Sequence, residues 1–214
     1  RDATNEALRR MADCCENKSC ELDALRLRQG SILKTVLAIN AVMFFVEGGA
    51  GLWAGSTALM ADSLDMLGDT LVYGFSLYVP AKGGRWLSLS ALFKGLIMAG
   101  FGLVVLAEAA YKFYYPITPV AEAIGIVGGL ALFANSVCLW LLWRHRSDDI
   151  NMNSVWLCSR NDIIANCSVL VAGALVWLLA SGWPDIIVGL GIAALFLRSA
   201  FHVIFRATGE LKRV

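Results

Sequence analysis

The chain has 214 residues, 58% of them hydrophobic and 16% charged, with a mean hydropathy of +0.65. A soluble domain carries about 25% charged residues and about 45–50% apolar ones, so this composition excludes a disordered chain, a disulfide-rich secreted domain and an ordinary cytosolic enzyme. The net charge of +1 gives no footing for nucleic-acid binding, and what remains is a polytopic helical membrane protein.

Residues 1–30 hold twelve of the charged side chains and no apolar run, so they do not read as a signal peptide but as a cytoplasmic arm. Cys14, Cys15 and Cys20 lie close together on this arm, where a reducing compartment keeps thiols free. Such a trio could collect a soft metal ion; the alternative is incidental cysteines on a solvated segment.

A helix that crosses the hydrocarbon core needs about 20 mostly apolar residues. Six stretches qualify: Ile32–Trp53, Ser56–Tyr78, Leu87–Tyr111, Ala123–Trp143, Val155–Ala180 and Ile186–Phe205. Turn chemistry separates most of them, as at Ala54-Gly55-Ser56, Pro80 to Gly84, Pro116 to Pro119 and Gly182-Trp183-Pro184. The predicted fold is therefore all-α with six transmembrane helices. It divides into an arm over residues 1–30, a transport domain over 31–206 and a short cytoplasmic tail over 207–214. Basic residues set its orientation. Arg26 and Arg28, Lys82 and Arg85, Arg144 and Arg146, and Arg206, Lys212 and Arg213 gather on one side, while the opposite loops offer only Lys112. Both termini are expected in the cytoplasm.

Ionisable residues inside a span are costly and mark function by default. The second span carries Asp62, Asp65 and Asp69. At about 100° per residue, Asp65 and Asp69 lie about 40° apart and Asp62 about 60° from Asp65, so all three share one broad face. Three buried carboxylates need a cation, protons or a basic partner. Lys94, Arg160 and Arg198 are the candidate bases. The fifth span carries Cys158, Asp162 and Asn166, each one turn beyond the last. Two helices that each offer an (i, i+4) pair can close four ligands around one ion, the tetrahedral arrangement Zn²⁺ prefers. Cys138 and Cys167 read as small hydrophobes instead.

Taken in order, these features resemble the cation diffusion facilitator family. Asn40 to Gly48, with Glu47, is similar to the family's opening helix, and Gly55 to Asp62 to the stretch that leads into its metal site. Glu108-Ala109 with Pro116, Asn135, and Asn151 to Asn153 add support. The resemblance implies Asp65 and Asp69 as the metal pair on the second helix, and Cys158 and Asp162 as the pair on the fifth, with Cys158 where the family usually has His. It also implies supporting roles for Asn40, Glu47, Asp62, Asn135, Arg160 and Asn166. A thiolate among carboxylates favours Zn²⁺ and softer ions such as Cd²⁺ over Mn²⁺ or Mg²⁺. Arg160 lies about 160° around the helix from Asp162 and is expected to reach Glu47 or Asp62. The family's usual C-terminal cytoplasmic domain is expected to be missing.

The function implied is secondary transport of a divalent metal, Zn²⁺ or Cd²⁺, out of the cytosol in exchange for protons that compete for the same ligands. The protein is expected in the bacterial inner membrane, with no cofactor and no enzymatic activity. Its expected partners are the metal ion, protons, the bilayer and a homodimer mate. A membrane metal sensor or chaperone that uses the arm thiols is the alternative. A cysteine-based oxidoreductase is disfavoured, because no Cys-x-x-Cys occurs.

Overall fold

The computed structural model describes residues 31–78, 84–144 and 152–211, apart from the side chains at 76, 78, 84–87, 152–161 and 210. Among the described residues the secondary structure is helical throughout. The helices are α1 (Ser31–Ala54), α2 (Thr57–Tyr78), α3 (Gly84–Tyr114), α4 (Ala121–Arg144), α5 (Met152–Leu179) and α6 (Trp183–Leu211). At 1.5 Å per residue they are about 33–47 Å long, enough to cross a bilayer. Five are long and apolar enough to cross by composition. The exception is α2, which is long enough but carries Asp62, Asp65 and Asp69.

The exposed surface explains why such helices require lipid. Phe45, Trp53, Ile126, Trp177 and Phe205 are each more than two-thirds exposed. Contiguous aromatic and aliphatic surface of this kind is favourable only against hydrocarbon. By contrast α2 is central. It packs on α3, α4, α5 and α6, and Ala58, Leu59, Ala61 and Leu64 join Val105, Ile124, Val169, Ala172 and Ile192 in the main apolar core. Burying α2 within protein keeps its carboxylates out of lipid.

Small residues set the seams. A Cβ at Gly95 would stand 2.7 Å from Ile204 Cγ1, and one at Gly102 would stand 2.8 Å from Leu197. The α3 and α6 backbones therefore approach closely along the most extensive seam among α2 to α6.

Two boundaries differ from expectation in a way that matters. α3 runs on to Tyr114, so Lys112 sits in its last turn rather than in a loop, and it is buried. Its ammonium reaches the Gly55 carbonyl at 2.9 Å and the Thr57 hydroxyl at 3.1 Å, and pairs with Glu108 one turn earlier. The local pull of these acceptors holds the lysine in helix that apolarity alone would have ended. α6 continues past Phe205 to Leu211, because Arg206 to Glu210 lack any helix breaker other than Gly209.

At the same end, α2 is capped from two directions. The Ser56 hydroxyl accepts from the Leu59 amide at 3.1 Å, the usual N-cap bond. Asp185, at the start of α6, accepts from the Ser56 hydroxyl at 2.6 Å and from the Thr57 and Ala58 amides at 2.6 and 3.2 Å. A carboxylate at a helix N-terminus meets both the free amides and the positive end of the dipole. Gly55 turns the chain between α1 and α2 with φ +64°, a conformation that favours glycine.

Candidate functional site

Between α2, α3, α5 and α6 lies a cavity of about 670 Å³. Its wall is mostly apolar, with Val72, Met98, Ile192 and Phe196 among its members, and it holds four ionisable side chains: Asp65, Asp69, Lys94 and Asp162. Three of the four metal positions implied by the sequence resemblance therefore open onto one space, contributed by two helices. Asp65 and Asp69 are half-buried, one turn apart on α2, and Asp162 is half-buried on α5. All three make interactions of their own. The fourth position, Cys158, falls one turn before Asp162 on the α5 backbone, and its side chain lies outside the described residues, as does that of Arg160. The arm cysteines Cys14, Cys15 and Cys20 also lie outside them. Among the described residues, no three His, Cys, Asp or Glu side chains close around a single point.

Asp62 does not line this cavity, although it shares the α2 face with its neighbours. It lies only about 20° around α2 from Asp69 but about 10 Å nearer the start of the helix, so depth along the axis rather than helix face separates it from the cavity. Asp62 and, on α1, Glu47 are both fully buried. Their four carboxylate oxygens lack a hydrogen-bond partner among the described residues, and the expected partner, Arg160, has its side chain outside them.

The supporting amides Asn40, Asn135 and Asn166 are all buried. Asn40 donates to the Val36 carbonyl at 2.9 Å and to Cys138 Sγ at 3.6 Å, which ties α1 to α4. Asn166 donates to the Asp162 carbonyl at 2.8 Å. Asn135 is buried on α4, with its amide nitrogen unpartnered. As expected, Cys138 is buried, in an apolar cluster with Leu33, Val36 and Tyr73. Cys167 is exposed.

Sequence reasoning did not assign a role to Asp185 or a structural one to Lys112. The only local signals were Ser56-Thr57 ahead of an apolar run and Asp185 directly after Pro184. Both mark helix starts, but neither says that the two starts meet.

A helical bundle with apolar outer faces and acidic side chains opening onto an internal cavity defines a membrane protein. The chain belongs to the cation efflux family: the family's transmembrane domain matches residues 33–211. It is a multi-pass protein of the bacterial inner membrane, in a family of transporters. It is similar to the zinc transporter ZitB of Yersinia pestis, with 26% identity over 194 residues, covering 84% of this chain and 62% of that protein. The metal cation efflux system protein CzcD of Cupriavidus metallidurans is 24% identical over 199 residues, with 83% and 62% covered. A cadmium, cobalt and zinc/H⁺–K⁺ antiporter of Bacillus subtilis is 22% identical over 188 residues, with 79% and 60% covered. The chain thus spans about three-fifths of the length of these relatives.

Proposed function

We propose that this protein carries a divalent transition-metal ion, Zn²⁺ or Cd²⁺, out of the cytosol in exchange for protons, through six membrane-crossing helices with both termini cytoplasmic. The observation that carries this reading is the shared cavity of Asp65, Asp69 and Asp162. Its three carboxylates from two helices face a mostly apolar space large enough for a metal ion and some of its hydration. The names of the relatives, which include zinc, cadmium and cobalt, support the class of cargo. Cys158, one turn before Asp162, is the proposed fourth ligand, and its thiolate favours Zn²⁺ and Cd²⁺ within that class.

Exchange follows from the ligand chemistry. Carboxylate and thiolate bind metal only when deprotonated, so metal and protons compete for the same atoms. On the low-proton side metal displaces protons, and on the high-proton side protons displace metal. In this scheme α2 crosses the membrane as the helix that carries the cargo site, shielded by its neighbours from lipid.

The test is metal uptake into proteoliposomes under an imposed pH gradient. Wild-type protein is expected to move Zn²⁺ or Cd²⁺ against an opposing proton gradient, and Asp69→Asn and Asp162→Asn to lose most of that flux while still inserting and folding. Wild-type flux in either variant removes that residue from the site. A folded wild-type protein that binds metal without moving it supports the sensor or chaperone alternative.

A further inference from the structure

The proposed metal site accounts for the acids of the cavity but not for its base. Asp65 and Asp69 from α2 and Asp162 from α5 share the space with Lys94 of α3, while α6 contributes no ionisable group and Ser199 as its one polar side chain there. Lys94 is half-buried and is the one base among the described residues of the wall. Arg198 on α6 is exposed, and Arg160 starts on α5 about 160° around the helix from Asp162. A base inside a span is as costly as an acid. A cation that repels the cargo of its own site is therefore a feature to be explained.

The packing puts the lysine on the acids' side of α3. A Cβ at Gly68, the residue before Asp69, would stand 3.1 Å from Met98 Cε. Lys94 is one turn from Met98, about 40° around α3 and about 6 Å along it, so both belong to the face of α3 that meets α2 at the cavity. A flexible four-carbon stem spans a distance of that size. Concentration and charge decide what such a cation does. One ammonium confined to a space of about 670 Å³ is present at an effective concentration on the order of 1 M, against about 0.15 M for the monovalent salt around a cell. K⁺ or Na⁺ would exchange one positive charge for another and lose on concentration. A divalent ion carries twice the charge, so at equal distance its attraction to the carboxylates is about double, and it gains ligand bonds that an ammonium cannot form.

We propose that Lys94 is a specificity-determining residue: a tethered cation that keeps monovalent ions out of the carboxylate cavity of the metal-free protein and is displaced by a divalent one. This rests on the cavity's reading as the metal site. Specificity is a difference of affinities. The lysine weakens the binding of every cation, but a divalent ion has attraction to spare and a monovalent ion does not. The site thus discriminates by charge before any ligand geometry is tested.

The test uses the full chain in detergent, with Lys94→Gln and Lys94→Met to remove the charge and Lys94→Arg to keep it. Zn²⁺ affinity is measured by calorimetric titration in KCl and in N-methylglucamine chloride at equal ionic strength, which holds screening constant. Wild type and Lys94→Arg are expected to bind Zn²⁺ equally in the two salts, within about twofold. The neutral variants are expected to bind it at least about tenfold more tightly than wild type in the organic salt. In KCl they should lose at least about threefold of that gain, because K⁺ now competes for the cavity. In parallel, melting of the metal-free protein is followed in the same two salts. KCl should stabilise the neutral variants relative to the organic salt and leave wild type and Lys94→Arg unchanged.

Wild-type affinity in the neutral variants, equal in both salts, overturns the proposal and leaves Lys94 a side chain that snorkels toward the membrane surface. Tighter Zn²⁺ binding without K⁺ sensitivity in either measurement also overturns it, because the lysine then repels metal without barring monovalent ions. A wild-type protein that binds no Zn²⁺ refutes the metal-site reading instead. The melting comparison then still decides whether Lys94 bars K⁺, and neutral variants that melt alike in both salts show that it does not. A wild-type gel-filtration profile in either neutral variant keeps the comparison free of unfolding.

Discussion

Ser56 and Asp185 meet at 2.6 Å although 129 positions separate them in the chain, and their contact closes one end of the helical bundle. The carboxylate also takes the first two amides of α2, so the start of α2 and the start of α6 share one capping group. Asp185→Asn keeps the volume but replaces one acceptor oxygen with a donor that faces donors. A buried hydrogen bond to a charged group is worth about 1.5–3 kcal/mol. We expect Asp185→Asn to lower the melting temperature in detergent by several degrees and Ser56→Ala to do so by less. Scanning both variants by intrinsic fluorescence checks this, and unchanged melting of Asp185→Asn would remove the carboxylate from the stability account.

Gly189 faces the same junction from one turn further along α6. A Cβ there would stand 2.7 Å from the Thr57 carbonyl carbon and 2.8 Å from its oxygen, both backbone atoms that cannot rotate aside. Gly189→Ala must therefore push α6 away from α2. The expected cost is in the range of about 1–3 kcal/mol for overpacking. Gly191→Ala, on the same helix with open space around it, serves as the control and should melt with wild type or slightly above it. Equal melting of the two variants would contradict the close approach.

Cys158 is the selectivity prediction. Cys158→His replaces a soft thiolate with a borderline imidazole one turn before Asp162. The variant should keep Zn²⁺ transport and lose preference for Cd²⁺ over Zn²⁺. Cys158→Ala should weaken both ions, since three carboxylates must then recruit water for the fourth position. Calorimetric titration of both metals into wild type and variants separates these outcomes. Affinities and ratio unchanged in Cys158→Ala would mean the thiol is not a ligand.

Removal of residues 1–22 takes away Cys14, Cys15 and Cys20 and leaves every intramembrane carboxylate in place. Uptake by the truncated protein is expected to need a higher metal concentration but to reach the same maximal rate. A complete loss of uptake in a folded truncation would place the arm on the transport path.

The helical architecture was legible because apolar runs of about 20 residues carry their own length signal. Asp65, Asp69 and Asp162 were legible for a related reason, since carboxylates inside such runs stand out against their surroundings. The division of the α2 acids was not. Helical periodicity places Asp62, Asp65 and Asp69 on one face, but how deep along that face the cavity reaches depends on how the neighbouring helices pack, which no local pattern encodes. Lys112 illustrates the same limit. As a single base near a span end it reads as a loop residue, and only the Gly55 carbonyl and Thr57 hydroxyl, brought in from α1–α2, make it interior.

The tie at Asp185 has a mechanical consequence. α6 is pinned near its first turn, whereas the cavity it lines extends to Val203, eighteen residues on, or about 27 Å along the axis. A rod fixed at one end moves least there and most at the other. Tilting α6 by about 10° about its anchor would leave Ser56 and Asp185 in contact and carry Val203 sideways by about 5 Å over that same length. Such a swing exceeds the width of a dehydrated metal ion, so small angular freedom at the stitched end translates into the difference between a closed wall and an open one at the far end.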